Sequence, residues 1–329
     1  VGPATPATKT SDKADQKRDG TKAKRGQTNR PGSRKPRSDT LGQPGKEKYA
    51  WGAAEVSDEP ASPEWVALRE ELLVPEELFF VYHPAWLVRR EMIAAHCCVP
   101  ARLAVNGTLI TGGRAMPARG RALENFGLDV LGLHKARKDL EEAATNDFAP
   151  VVVIPVHIET LETPKFRDSY VECASGIDEQ RRRQVLFEIM GFTDETPSVT
   201  LVKAISYLRP YCREIIARTR LETRNLHLLR EIGVQVAGVD LANLPFREHE
   251  WFPMVTAFNE RAANARLTTF AHGLKTRSSV SGAVAAGFRY LDGRIIASPV
   301  EKPLPNRPWT ARDVYSSLVS ELQAGTDPD

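Results

Sequence analysis

A chain of 329 residues with 41% hydrophobic and 26% charged side chains can bury a sizeable core, and it holds no apolar run of membrane-spanning length. Its four cysteines (Cys97, Cys98, Cys173, Cys212) lack zinc-finger and disulfide-framework spacing, which points to reduced thiols and a cytoplasmic location. The net charge of +3 is unevenly spread: residues 1–48 carry 13 Lys/Arg against 5 Asp/Glu, a net +8, which leaves −5 for the remainder.

Residues 1–53 contain almost no large apolar side chains and many Pro, Gly, Ser, Thr, Lys and Arg. Such a segment buries too little surface to offset its ordering entropy, and it reads as a disordered basic arm. It serves either as a linker or as an electrostatic tether to an anionic partner. No aromatic residue lies in its charged portion, so stacking on nucleic-acid bases has no support. Residues 54–77 form a lead-in with a short helix over 63–73, Ser62 as N-cap and Pro63 at its first position.

The apolar patterning then alternates between strands and helices. Residues 78–83 are strand-like and stop at Pro84; a second strand covers about 91–99, and a small hairpin over 105–113 turns at Asn106-Gly107. A long helix over 118–145 leads to the β-branched run 151–158, the mark of a buried parallel strand. Helical readings at 165–175, around Asp178, and at 200–208, 223–232, 251–264 and 278–286 alternate with strands at 185–190, 214–220, 234–241, 266–271 and 288–291. Asp178, Ser198 and Thr223 are candidate helix caps, and Gly233 and Gly287 candidate helix stops. Eight parallel βα-type strands indicate a (β/α)₈ TIM-like barrel over 78–302, followed by a C-terminal helix and tail over 303–329. A doubly wound open sheet is the alternative, but neither Gly-x-Gly-x-x-Gly nor a phosphate-binding loop is present to support it.

The stretch GFRYLDGRIIASP, ending at Pro299, resembles the close of the EAL domain, the barrel phosphodiesterase module that acts on cyclic di-GMP. AHGLKT resembles that family's Ala-Glu-Gly-Val-Glu-Thr, FVYHPAW its opening Tyr-Gln-Pro-Ile, VIPVHIETL its Val-Asn-Leu-Ser, LFEIMG its Leu-Glu-Ile-Thr-Glu and VAGVDL its Lys-Ile-Asp strand. The resemblance covers about residues 78–299 and implies a barrel of EAL type, with chemistry at the C-terminal strand ends.

The family holds two divalent metals there with carboxylates and an Asn. Set on its pattern, the Glu of Glu-Ala-Leu falls at His96 and the Asn at His157; Glu188 is kept, but its partner position is Gly191. Arg218 stands near the lost Asp pair, Gly238 at the catalytic Lys, and Asp240 is kept. His272 and Lys275 replace two late glutamates, Asp292 replaces the Gln, and the Arg that contacts phosphate in the family has no counterpart near Val99-Pro100. Arg218 puts a fixed positive charge where a divalent ion would sit. The resemblance therefore implies a catalytically inactive barrel without metal or cofactor, a binding or scaffolding module for a protein partner in bacterial signalling. The alternatives are a cyclic di-GMP sensor or phosphodiesterase, and a metal enzyme of changed chemistry built on the histidines.

His96, His157 and His272 should converge in one cavity with Glu188 and Asp240, and Arg218 should pair with one of those carboxylates, balancing the charge without a metal. Cys97 and Cys98 read as core. Glu179–Arg183 reads as a solvated charge run, and Trp86, Trp251 and Phe252 as core or rim aromatics.

Overall fold

The computed structural model describes residues 77–115, 122–242 and 248–316. The expected arm, the lead-in helix over 63–73 and the chain beyond 316 lie outside the described residues.

Eight strands close into one barrel. In chain order they are β1 (Phe79–Leu87), β2 (Met92–Leu103), β4 (Val152–His157), β5 (Val185–Met190), β6 (Glu214–Thr219), β7 (Val236–Asp240), β8 (Thr268–His272) and β9 (Tyr290–Leu291). β9 pairs back onto β1 to complete the ring. Two short strands flank β2: β3 (Leu109–Thr111) forms the expected hairpin, and β10 (Arg307–Pro308) pairs with its first residues.

The ring is not all parallel, although eight parallel strands were expected from the sequence. β1 runs antiparallel to both β2 and β9. The reason is the connection: only the turn Val88–Arg90 and Glu91 join β1 to β2. A parallel crossover needs a dozen residues or more. β1 also runs on through Pro84 rather than stopping there. Tyr82, two residues earlier, turns its N–H away from β2 to Val300, so the Pro84 nitrogen faces that same side and no β1–β2 ladder bond is lost.

Helices cover the outside. α1 (Ala122–Thr145) leads to β4; α2 (Ile158–Glu162) and α3 (Pro164–Ser175) to β5; α4 (Ser198–Leu208) to β6; α5 (Leu226–Glu231) to β7; α6 (Glu248–Asn264) to β8; α7 (Arg277–Ala286) to β9. The main core lies between sheet and helices, where Leu131, Leu133, Ile154, Phe187, Ile189 and Phe258 are fully buried. Each such side chain contributes roughly 1.5–3 kcal/mol on leaving water. Strands covered on both faces explain the nearly unbroken apolar runs of β4 and β5.

Local chemistry sets the ends. Thr276 caps α7 in a reciprocal pair with Ser279, and Gly287 stops it at φ +94°. The other expected caps fall elsewhere. Ser198 is already inside α4, with Pro197 at the cap; Thr223 accepts the Arg220 N–H; Asp178 accepts the Gln180 N–H in a turn where a helix was expected. Gly293 is required because a Cβ there would strike the backbone of Leu274, and this close approach holds the end of β9 against the loop after β8.

The C-terminal segment packs onto the barrel. The indole of Trp86 donates to Trp309 O at 2.7 Å, and residues 311–316 are helical.

Candidate functional site

Ala85, Ala95, Cys97, Val153, Leu186, Ile216, Val236 and Phe270 pack inside the barrel. Side chains alternate along a strand, so residues two apart share this inner face. It continues toward the C-terminal strand ends through His157, Glu188, Arg218, Gly238, Asp240 and His272. On β1 it passes through His83, which is paired across from Cys97.

His96 is not on this face. It pairs level with Val152, the first residue of β4, and points outward under the C-terminal segment, where the Leu304 N–H donates to its Nε2 at 3.4 Å. Burial and the nearby Arg307 push its pKa down to about 4, so it is neutral at pH 7. The expected mouth position belongs to Cys97, one residue on. A one-residue slip in a strand exchanges the two faces.

Four of the sequence candidates do meet. Glu188 is fully buried and receives two hydrogen bonds from Arg218, Nε to Oε1 at 3.1 Å and Nη2 to Oε2 at 2.5 Å. The parallel register sets Arg218 beside Gly238, and Glu188 one strand further back. His272 Nε2 lies 2.9 Å from Glu188 Oε1, and its Nδ1 lies 2.7 Å from Asp292 Oδ2. Asp292 Oδ1 also accepts the Gly273 N–H at 2.8 Å, and the ring of Phe270 stacks under the imidazole.

Burial alone would raise the Glu188 carboxyl, but Arg218 and His272 hold it at about 2. Burial would lower His272, but Glu188 and Asp292 raise it to about 9. Asp292 is held below the usual carboxylate range, against its burial, chiefly by His272. Two cations therefore balance two carboxylates in a closed chain. Gly238 leaves the room for it: a Cβ there would lie 2.9 Å from Glu188 Oε1 and 3.1 Å from His272 Nε2. The expected pairing of Arg218 with a retained carboxylate is what the geometry shows.

The remaining candidates take other partners. His157 ends β4 but turns to Asp129 on α1, which binds its Nδ1 and its backbone N–H, each at 2.8 Å. That carboxylate raises the His157 pKa against the effect of burial. Asp240 is at the exposed rim, where it accepts the Ala242 N–H at 2.8 Å, and Lys275 donates to Ala242 O beside it. Burial lowers the Lys275 pKa, and Arg114 adds to this. The three histidines thus do not converge; His272 alone joins the buried chain.

Three residues of the site were not singled out by sequence reasoning: His83, Cys97 and Asp129. Period-two counting along β2 from its true start would have put Cys97 inward. Asp129 betrayed itself as an acid on the apolar face of a helix, next to Leu128 and two residues from Leu131.

No protein-family model and no curated protein matches the chain. Solved structures do. The Bacillus subtilis YkuI protein with an EAL domain, in complex with substrate c-di-GMP and calcium, superposes with a TM-score of 0.56 at 14% identity over 79% of this chain and 65% of that one. The PaMucR phosphodiesterase, a c-di-GMP complex, gives 0.55 at 14% identity over 72% of this chain and 97% of that one. Vibrio cholerae LapD, as its S helix-GGDEF-EAL portion without ligand, gives 0.54 at 15% identity over 72% and 57%.

The fold is that of an EAL-type barrel. The chain spans less than two thirds of the length of the Bacillus and Vibrio chains. Among the described residues no helix is long and apolar enough to cross a membrane. An EAL-type barrel that hydrolyses through paired hard cations needs free oxygen ligands at its mouth. Here Glu188 is taken by Arg218 and His272, and Asp292 by His272 and Gly273 N–H. The mouth does not fit such a pair.

Proposed function

We propose that this EAL-type barrel does not hydrolyse cyclic di-GMP and acts as a binding or scaffolding module for a protein partner in bacterial signalling. The observation that supports this is the bidentate Arg218–Glu188 pair. A divalent ion would have to displace a guanidinium from a fully buried carboxylate, leaving that cation unpaired beside the incoming metal. Without a metal, no described residue at the mouth is set to generate hydroxide near neutral pH. The test is a hydrolysis assay on cyclic di-GMP with Mg²⁺ or Mn²⁺. No product above the no-enzyme control is expected. Turnover that disappears in Glu188→Ala would overturn the reading, and binding without turnover would convert the scaffold into a sensor.

A further inference from the structure

We propose that Cys97, His272, Asp292 and His83 form a buried structural zinc site that staples the barrel where its ring closes. The ligand atoms of Cys97, His272 and Asp292 all lie within 4.8 Å of one another, and all three residues are buried. A tetrahedral zinc with such ligands spaces them about 3.5 Å apart, so His272 Nδ1 and Asp292 Oδ2, now 2.7 Å apart, would open while the wider contacts close by a little. His83 lies outside that 4.8 Å group and would move in to supply the fourth donor. It faces Cys97 directly across the β1–β2 ladder on the inner face, and its Nε2 is buried without any hydrogen-bond partner. A buried imidazole nitrogen left unpaired is costly, and a metal ligand resolves the cost.

The geometry beyond the ligands fits as well. With Nε2 of His272 toward Glu188 and Nδ1 toward Asp292, the imidazole is held as a zinc ligand backed by a carboxylate. Arg218 orients that carboxylate from the far side, so its charge is already offset where the zinc would sit. The ion takes the place of the Cys97 thiol proton and of the proton that Nδ1 shares with Asp292. Two positive charges enter, two leave, and the buried cluster keeps its net charge. Sulfur and nitrogen donors select zinc over magnesium or calcium, and four protein ligands with no open position make the site structural rather than catalytic.

The location gives the zinc a purpose. β9 has two residues, and it pairs with β1 and with β8 at two positions each. The four ligands come from β1, β2, the end of β8 and the residue after β9, so one ion ties together the strands on both sides of this short seam.

The inference is independent of the functional reading: turnover with Mg²⁺ would overturn that reading and leave this one standing, and absence of zinc would do the reverse. The full chain, purified without chelator, should contain about one zinc, measured by plasma mass spectrometry. Cobalt titrated into the stripped protein should give a thiolate-to-cobalt charge-transfer band saturating at one equivalent. Cys97→Ser should lose the band, Cys98→Ser should keep it because Cys98 points outward to Gly132 O, and His83→Ala should weaken binding about tenfold or more. The wild-type titration decides the matter even where a variant fails to fold. No zinc and no band, or a band that survives Cys97→Ser, would overturn the assignment.

Discussion

Arg218→Met is the sharpest probe of the charge chain. Methionine keeps the apolar stem and removes the guanidinium that gives Glu188 its hydrogen bonds at 3.1 and 2.5 Å. Glu188 has no exposed surface, so the carboxylate left behind stays largely out of bulk water although the Arg218 side chain is 21% exposed. Removing one member of a buried pair costs about 3–5 kcal/mol. His272 remains 2.9 Å away as a second counter-charge, which sets the expectation at the low end, about 3 kcal/mol. Urea denaturation should show that loss as a lower midpoint at unchanged slope, and the melting temperature should fall by roughly 5–10 °C. Adding Glu188→Leu should recover much of it, because the orphaned carboxylate goes too. A single-variant cost below about 1 kcal/mol, the level of an exposed ion pair, would refute the reasoning.

His96→Gln tests the outward histidine. The imidazole has a folded pKa of about 4 against an unfolded 6.5, so its contribution is present above pH 6.5 and is lost as pH falls from there toward 4. Wild type should therefore lose up to about 2–3 kcal/mol more than the variant over that window, since every other group is shared; superimposable pH–stability curves would count against a neutral, buried His96. The basic arm is tested by salt. Deleting residues 1–48, with their net +8, should lower the ionic strength at which the protein elutes from heparin, whereas unchanged elution would leave the arm a linker.

The barrel was legible because its strands are buried on both faces. Runs such as Val185–Met190 are then nearly continuous in apolar residues, and the spacing of helices between them permits one architecture. The reversal of β1 was also written in the chain, as four residues between two strands, but the apolar pattern of a strand carries no direction. Helix caps were poorly legible: Ser198 and Thr223 have the right side chains, yet Pro197 and Asn225 hold the cap positions, because the preceding strand end decides where each helix begins.

At the site, what could be read from single positions survived, and what depended on phase did not. Glu188 stands out as the polar residue in the apolar run Val185–Met190, and Arg218, His272 and Asp292 were placed at neighbouring strand ends without reading a phase. β2 offers no alternation to read: Ile93, Ala95, His96, Cys97 and Cys98 are all buried, because the C-terminal segment covers its outer face as the barrel covers its inner one. With both faces buried, a histidine and a cysteine in adjacent positions cannot be assigned to sides from sequence, and the resemblance to the EAL pattern chose the wrong one. The consequence is chemical. With His96 inward the mouth would be a loose set of histidines, and Arg218 would argue against any cation. With Cys97 inward and His83 paired across from it, the same Arg218 steadies Glu188 behind His272, and the donors gathered at that imidazole are sulfur and carboxylate oxygen. A guanidinium paired with Glu188 is then compatible with the proposed zinc in the wall.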